Sequence, residues 1–187
     1  MRKNPQSFVV GVSSPKGVVK VFSPNSQEPL LQILAHNAPV TSLDFSRDGN
    51  YLLTAGGDCR FKIWDIRNSY HEVFSYSVPW KPTDVRFSQT GLAAVASGHS
   101  VFFWKDAQLE KQKGPYFRHD DLHRKQVTGC AFAPYEDFMG VCHDAAFESI
   151  FVPGSGSRDF DTFEDNLNTD RRQNREIVVQ KLLQKVR

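Results

Sequence analysis

The sequence predicts an all-β chain of short antiparallel meanders followed by a basic α-helix, and three observations predict it. The stretch 36–67, HNAPVTSLDFSRDGNYLLTAGGDCRFKIWDIR, falls into three runs, 40–45, 51–55 and 61–66. Each run is rich in β-branched or aromatic residues and bounded by turn residues, which is the signal of a strand. Asp48-Gly49 and Gly56-Gly57-Asp58 separate the runs, where a hairpin needs a positive φ that glycine adopts without steric penalty. The pattern then recurs: Thr83-Asp84-Val85-Arg86-Phe87 repeats the form of Thr41-Ser42-Leu43-Asp44-Phe45, and Trp104 follows Trp64 by 40 residues. That interval lies inside the roughly 40–45 residues of a four-stranded propeller blade. Apolar residues recur at helical spacing in 170–187, where Ile177, Val178, Leu182 and Val186 share a face with Val179 and Leu183 alongside.

The stretch 36–67, ending in Trp64-Asp65, resembles a WD repeat, with His36 where that family has the histidine of its Gly-His pair. In the family a histidine, a Ser/Thr, an aspartate and a tryptophan form one hydrogen-bonded chain across the strands. The resemblance gives these roles to His36, Thr54, Asp58 and Trp64. The chemistry is sound, since a buried indole N–H needs an acceptor and a hydroxyl can accept and donate in turn. Such a network stabilises a blade and performs no reaction.

Taken in order, 8–13 reads as a strand, 14–17 as a turn and 18–22 as a second strand, with Phe22-Ser23 where the repeat has Trp-Asp. This is the expected back half of a blade whose opening strand is missing. Residues 29–34 fit an outer strand before His36, and 71–78 fit the next one. The third unit runs through 83–87, 92–97 and 101–104, with Lys105 in place of the aspartate and Pro79-Trp80 near the place of a Gly-His pair. Its tetrad is therefore expected to be missing, so that apolar contacts hold the blade. Residues 105–125 read as a polar loop around a short outer strand near 115–118. The last unit has strands at 126–133, 138–143 and 147–152, with Phe151 assigned to the tryptophan position. The expected fold is thus a partial WD-repeat β-propeller of about three and a half blades over 1–153, a linker over 154–169 and a basic helix over 170–187. Propellers close with about 4–8 blades, so the chain is expected to be a fragment, a shortened gene model or part of a propeller completed by sequence upstream of Met1.

The chain of 187 residues carries a formal charge of only +2, too little to impose a nucleic-acid or membrane partner. It contains no apolar run of bilayer-spanning length and no signal-peptide core, so an intracellular setting and no membrane partner are expected. Cys59, Cys130 and Cys142 are an odd set and are expected to be reduced thiols. Two groupings invite a chemical reading. His119-Asp120-Asp121-Leu122-His123 has two histidines four residues apart but lacks the HExxH order, and a solvated loop accounts for it better. Cys142-His143 beside Cys130 falls on strands whose alternation already accounts for it. No nucleophile, base and orienting group converge, so no enzyme, no metal, no cofactor and no small-molecule substrate are expected.

The C-terminal third is more specific. Pro134-Tyr135-Glu136-Asp137, then His143, Phe147-Glu148-Ser149-Ile150-Phe151-Val152-Pro153-Gly154-Ser155-Gly156 and Phe160-Asp161 resemble the nucleolar WD-repeat proteins of the small-subunit processome, which carry a characteristic C-terminal domain. Gly17-Val18-Val19-Lys20-Val21-Phe22-Ser23-Pro24, Ala35-His36 and Phe103-Trp104-Lys105-Asp106 are similar to that group at corresponding places. The resemblance implies a nucleolar scaffold for assembly and processing of small-subunit (18S) ribosomal RNA precursors. Its implied partners are other processome proteins and pre-ribosomal or small nucleolar RNA. A WD-repeat adaptor, such as a ubiquitin-ligase substrate receptor or signalling module that binds peptides, is the alternative, and it leaves 134–137 and the C-terminal arm unexplained.

Read from the residues, 153–157 is a flexible exit from the last strand, and Phe160 and Phe163 stand in an acidic stretch suited to docking on a partner or on the propeller. Arg171, Arg172, Arg175, Lys181, Lys185 and Arg187, less Asp170 and Glu176, leave the terminal helix a net +4. The first five, with the two phenylalanines, are the expected contacts to RNA or partner protein. Phosphate contacts of this kind act by charge neutralisation and weaken steeply with salt.

Overall fold

The computed structural model describes residues 1–67, 70–120 and 125–156, together with Arg175. The chain divides into Met1–Ser157 and Arg158–Arg187. Of the second unit only Arg175 is described, and it is helical and exposed. Among the described residues no helix is long and apolar enough to cross a membrane.

Met1–Ser157 contains four antiparallel sheets, each a meander in chain order. β1 (Arg2–Lys3), β2 (Val10–Ser13), β3 (Val18–Phe22) and β4 (Pro29–Leu34) form the first. β5 (Val40–Phe45), β6 (Tyr51–Gly56), β7 (Arg60–Asp65) and β8 (Glu72–Ser77) form the second. The third is β9 (Pro82–Phe87), β10 (Ala93–Ser97), β11 (Ser100–Trp104) and β12 (Phe117–Asp120), and the fourth is β13 (Val127–Phe132), β14 (Phe138–His143) and β15 (Phe147–Phe151). The chain is a partial WD-type propeller, with successive blades meeting along β5, β9 and β13.

Two expectations are corrected. The first blade is not a back half: Arg2 pairs with Gly11 and Lys3 with Val10, so a two-residue strand opens a four-stranded sheet. Two cations carry no β pattern, and the chain reaches them from β2 through a tight loop. There Asn4 Oδ1 accepts from the amides of Gln6 and Ser7, and Phe8 takes a positive φ of 59° in place of the expected strand start. In the last blade, Phe151 does not hold the tryptophan position. Leu52 faces Trp64 and Met139 faces Ile150, so Ile150 is the counterpart, 7% exposed, while Phe151 is 56% exposed and pairs with Phe138. A shift of one residue moves a strand side chain to the opposite face, and it is this face that separates the two candidates.

The core lies between blades. β6, β10 and β11 are buried almost throughout, so alternate residues serve different gaps. Leu52 and Trp64 pack with Val19, Leu43 and Phe45 of the gap between the first two blades. Leu53, Ala55, Phe61 and Ile63 face the other way, onto Val85, Val95 and Trp104 of the third blade. Ala94, Ala96, Val101 and Phe103 fill the last gap with Cys130, Met139 and Val141.

Polar contacts across these gaps share one direction: a side chain of the earlier blade reaches the main chain of the later one. Asn4 Nδ2 donates to Gly49 O (3.0 Å), Asp44 Oδ2 accepts from Phe87 N (2.9 Å), and Tyr76 Oη donates to Ala107 O (3.1 Å). From the third blade, Thr83 Oγ1 donates to Val127 O (2.9 Å), Arg86 Nε donates to Cys130 O (2.9 Å), and Asp84 Oδ2 accepts from Cys130 N (3.2 Å). Ser42 Oγ adds a side-chain link to Asp84 Oδ1 (2.7 Å), and Arg86 holds Asp84 at 2.8 Å. Arg2, Asp44 and Arg86 occupy corresponding places on successive inner strands, so the sign of the charge alternates from blade to blade.

Asp44 is raised from 3.8 to about 6, chiefly because burial disfavours its charged form, against the opposing effects of the Phe87 amide and Arg2. Between 3.8 and about 6 the folded chain keeps a proton that the unfolded chain has lost, so this carboxyl lowers stability as pH rises through that window. Asp44→Asn, which preserves an acceptor for Phe87 N, is expected to gain in melting temperature relative to the wild type between pH 4 and pH 7. Parallel melting curves of the two proteins across that range measure it, and a constant difference would contradict the assignment.

Candidate functional site

Three places bear on function: the tetrad of the second blade, the two histidine groupings, and the exit from the fourth blade. His36 is fixed by its backbone amide, which donates to Gly17 O (3.1 Å), and its ring enters the blade 2% exposed. His36 Nδ1 lies 3.0 Å from Asp58 Oδ1, His36 Nε2 lies 3.0 Å from Thr54 Oγ1, and Trp64 Nε1 donates to Thr54 Oγ1 at 3.0 Å. Since the Asp58 carboxylate can only accept, His36 Nδ1–H donates to it, and Nε2 of the neutral ring then accepts from the Thr54 hydroxyl. Each donor meets one acceptor from β7 through β6 to the loop before β5. The chain of bonds ties the strands together.

The third blade lacks this chain because Val95 stands in register where Thr54 stands in the second. Trp104 instead packs on Phe61 (4.5 Å between centroids) and Phe102 (5.9 Å). Its hairpin carries a different pair, Trp80 against His99 at 4.6 Å.

The groupings that invite a chemical reading are dispersed. His119 and Asp120 lie on β12, and Asp121 and His123 lie outside the described residues. His119 Nε2 and His143 Nε2 approach the same Glu148 Oε2, at 3.4 and 3.5 Å, joining the third and fourth blades. Cys142 is exposed while His143 beside it is buried, as strand alternation requires. The Cys130 thiol is pushed up, first by burial and then by Asp84 and Asp44, which suppresses the nucleophilic thiolate. All three cysteines are free thiols. Among the described residues no group of three His, Cys, Asp or Glu side chains is placed to hold a metal ion.

The exit from β15 brings together two segments that are separate in sequence. Val152 N donates to Asp137 O (2.8 Å), and Gly156 N donates to Asp137 Oδ1 (2.8 Å). Gly156 lies so close to Glu136 that a Cβ there would sit 2.6 Å from its carbonyl carbon. Thr90 Oγ1 of the third blade donates to Gly154 O (2.6 Å), Tyr135 N donates to Gln89 Oε1 (2.9 Å), and Arg47 of the second blade stacks on the Tyr135 ring at 5.7 Å. The Pro-Tyr-Glu-Asp and Val-Pro-Gly-Ser-Gly elements are therefore two halves of one clasp, which fixes where the chain leaves the propeller. Sequence reasoning singled out both halves but not their contact. Gly156→Ala is expected to cost about 1–3 kcal/mol of local stability, because overpacking against a main chain cannot relax cheaply. Faster hydrogen exchange at the Val152 and Gly156 amides, with the core amides unchanged, measures it.

Phe160, Phe163, Arg171, Arg172, Lys181 and Lys185 lie outside the described residues, as do residues 157–174 and 176–187, where the linker and basic helix are expected.

These blades and the tetrad define the class: a WD-repeat propeller protein. Residues 27–65 match the WD domain, G-beta repeat, and residues 115–187 match the BING4CT (NUC141) domain. The BING4CT match begins within the third blade and takes in β12 to β15. Across its whole length the chain is 34% identical to U3 small nucleolar RNA-associated protein 7 of Saccharomyces cerevisiae, covering 36% of it. It is also 34% identical across its whole length to WD repeat-containing protein 46 of Homo sapiens, covering 31% of that protein. The chain thus spans about a third of the length of these relatives. A chain in the crystal structure of the Mitotic Checkpoint Complex superposes with a TM-score of 0.68 at 22% identity, covering 79% of this chain and 46% of that one, and shows the fold. Neither relative carries an enzymatic name.

Proposed function

We propose that this chain is a non-catalytic scaffold component of the small-subunit processome, acting in the nucleolus in assembly and processing of small-subunit (18S) ribosomal RNA precursors. The observation that carries this reading is whole-length similarity to a protein named for its association with U3 small nucleolar RNA. The clasp supports it, because the motifs that set this group apart from other WD-repeat proteins meet at the point where the arm departs. The blades present a rigid surface to neighbouring proteins. The arm supplies Phe160 and Phe163 for docking and Arg171, Arg172, Arg175, Lys181 and Lys185 for RNA phosphates. Affinity purification of the tagged protein from cells is expected to recover U3 small nucleolar RNA and 18S precursors and to place the protein in the nucleolus. Replacing the five arm cations with alanine is expected to lower RNA recovery and flatten its salt dependence. A protein distributed through the cytoplasm and recovered without either RNA would refute the proposal.

A further inference from the structure

Trp80 is the largest exposed aromatic side chain among the described residues that the reading above leaves without a task, at 41% exposure. Its backbone is locked in both directions to a buried serine: Trp80 N donates to Ser97 Oγ (3.2 Å), and Ser97 Oγ donates to Trp80 O (2.6 Å). The indole lies directly over Gly98, where a Cβ would come within 3.2 Å of the ring, and Gly98 takes a positive φ of 62°. His99 backs the ring from one side at 4.6 Å with a tilt of 53°. The result is a flat π surface held rigid on the protein side and open to solvent elsewhere.

A cation flanks it. Lys81 follows in sequence, is exposed and arches over Gly57, its Cε 3.7 Å from a Cβ placed there. Two neighbouring carboxylates are already engaged: Asp58 by His36, and Asp120 by Ser100 and Arg118. An immobilised aromatic face beside an exposed lysine is a combination that binds single-stranded nucleic acid, where a base stacks on the ring and the backbone passes the cation.

We propose that Trp80, backed by His99 and flanked by Lys81, is a stacking site for one base of single-stranded RNA. The site lies on the propeller, at the entry to the third blade. Its partner class rests on the scaffold reading.

Trp64 and Trp104 are 6% and 4% exposed, so the solvent-accessible tryptophan emission of the full chain belongs to Trp80. Titration with an oligouridylate of about a dozen nucleotides is expected to quench that emission. By anisotropy of the labelled strand, W80A is expected to bind about tenfold more weakly and W80F to stay within about threefold. K81E is expected to bind more weakly with a shallower salt slope, and it carries the test if W80A does not fold. Unchanged affinity in W80A and K81E, an unquenched Trp80 at saturation, or equal quenching by polyglutamate overturns the proposal. Purified chain and oligouridylate read Trp80 alone, whereas recovery of U3 RNA from cells reads the scaffold role, so either can fail while the other stands.

Discussion

Phe61→Ala is expected to destabilise the propeller by about 3–5 kcal/mol, the range for deleting a buried phenylalanine whose surroundings cannot collapse. Phe61 is fully buried, stacks on Tyr76 at 4.9 Å and 12°, and meets Trp104 of the next blade at 4.5 Å. Its neighbours belong to two blades and are pinned by Tyr76 Oη, which donates to Ala107 O and Glu110 O, so the void cannot be filled by moving one sheet alone. Aromatic pairing contributes about 0.5–1.5 kcal/mol beyond the area buried, and that is lost as well. Phe138→Ala, at a ring 44% exposed on Phe151, is the control and is expected to cost less than about 1 kcal/mol. Urea unfolding of both variants measures the difference, and equal losses would show that the gap between the second and third blades is not where the fold draws its stability.

Thr54→Val is expected to cost on the order of 2–5 kcal/mol, although the two side chains have nearly the same shape. The substitution leaves the Trp64 indole N–H without its acceptor and His36 Nε2 without its donor, both in a buried site. Each orphaned group costs about 1–3 kcal/mol, because water is not there to replace the lost partner. Thr54→Ser keeps the hydroxyl and is expected to retain most of the stability. Asp58→Asn, at the end of the tetrad that is 23% exposed, is expected to fall between the two. If valine and serine behaved alike at this position, the network would be incidental and the blade would hold together without it, as the third blade does.

The elements that could be read in advance are those set by local pattern. Alternation and hairpin glycines give β5 to β7 directly, and the Trp64–Trp104 interval fixes the blade period. What escapes is set by register. Ile150 rather than Phe151 faces the core because β15 pairs with β14 one step from the alignment that side-chain size suggests. Arg2-Lys3 becomes a strand only because β2 offers it an edge. The links from Asp44, Asp84 and Arg86 depend on which strand is innermost and on its height against the next blade, which a single strand's sequence does not encode. The tetrad members are named by motif, but the Asp137–Gly156 bond joins segments whose proximity follows only from the path of β14 and β15. Trp80 is visible in the sequence merely as a departure from the repeat, and its exposure gives it a distinct meaning.

The one-way polarity of the contacts between blades has a consequence for how the chain tolerates change. A reaching side chain such as Tyr76, Thr83 or Arg86 must supply a particular polar atom, whereas the positions it grips, Ala107, Val127 and Cys130, supply to these bonds only peptide atoms that every residue possesses. Constraint is therefore lopsided along the polypeptide. Each wedge, once made, already holds out the hands its successor needs, so that a nascent ring can be laid down segment by segment behind the growing end.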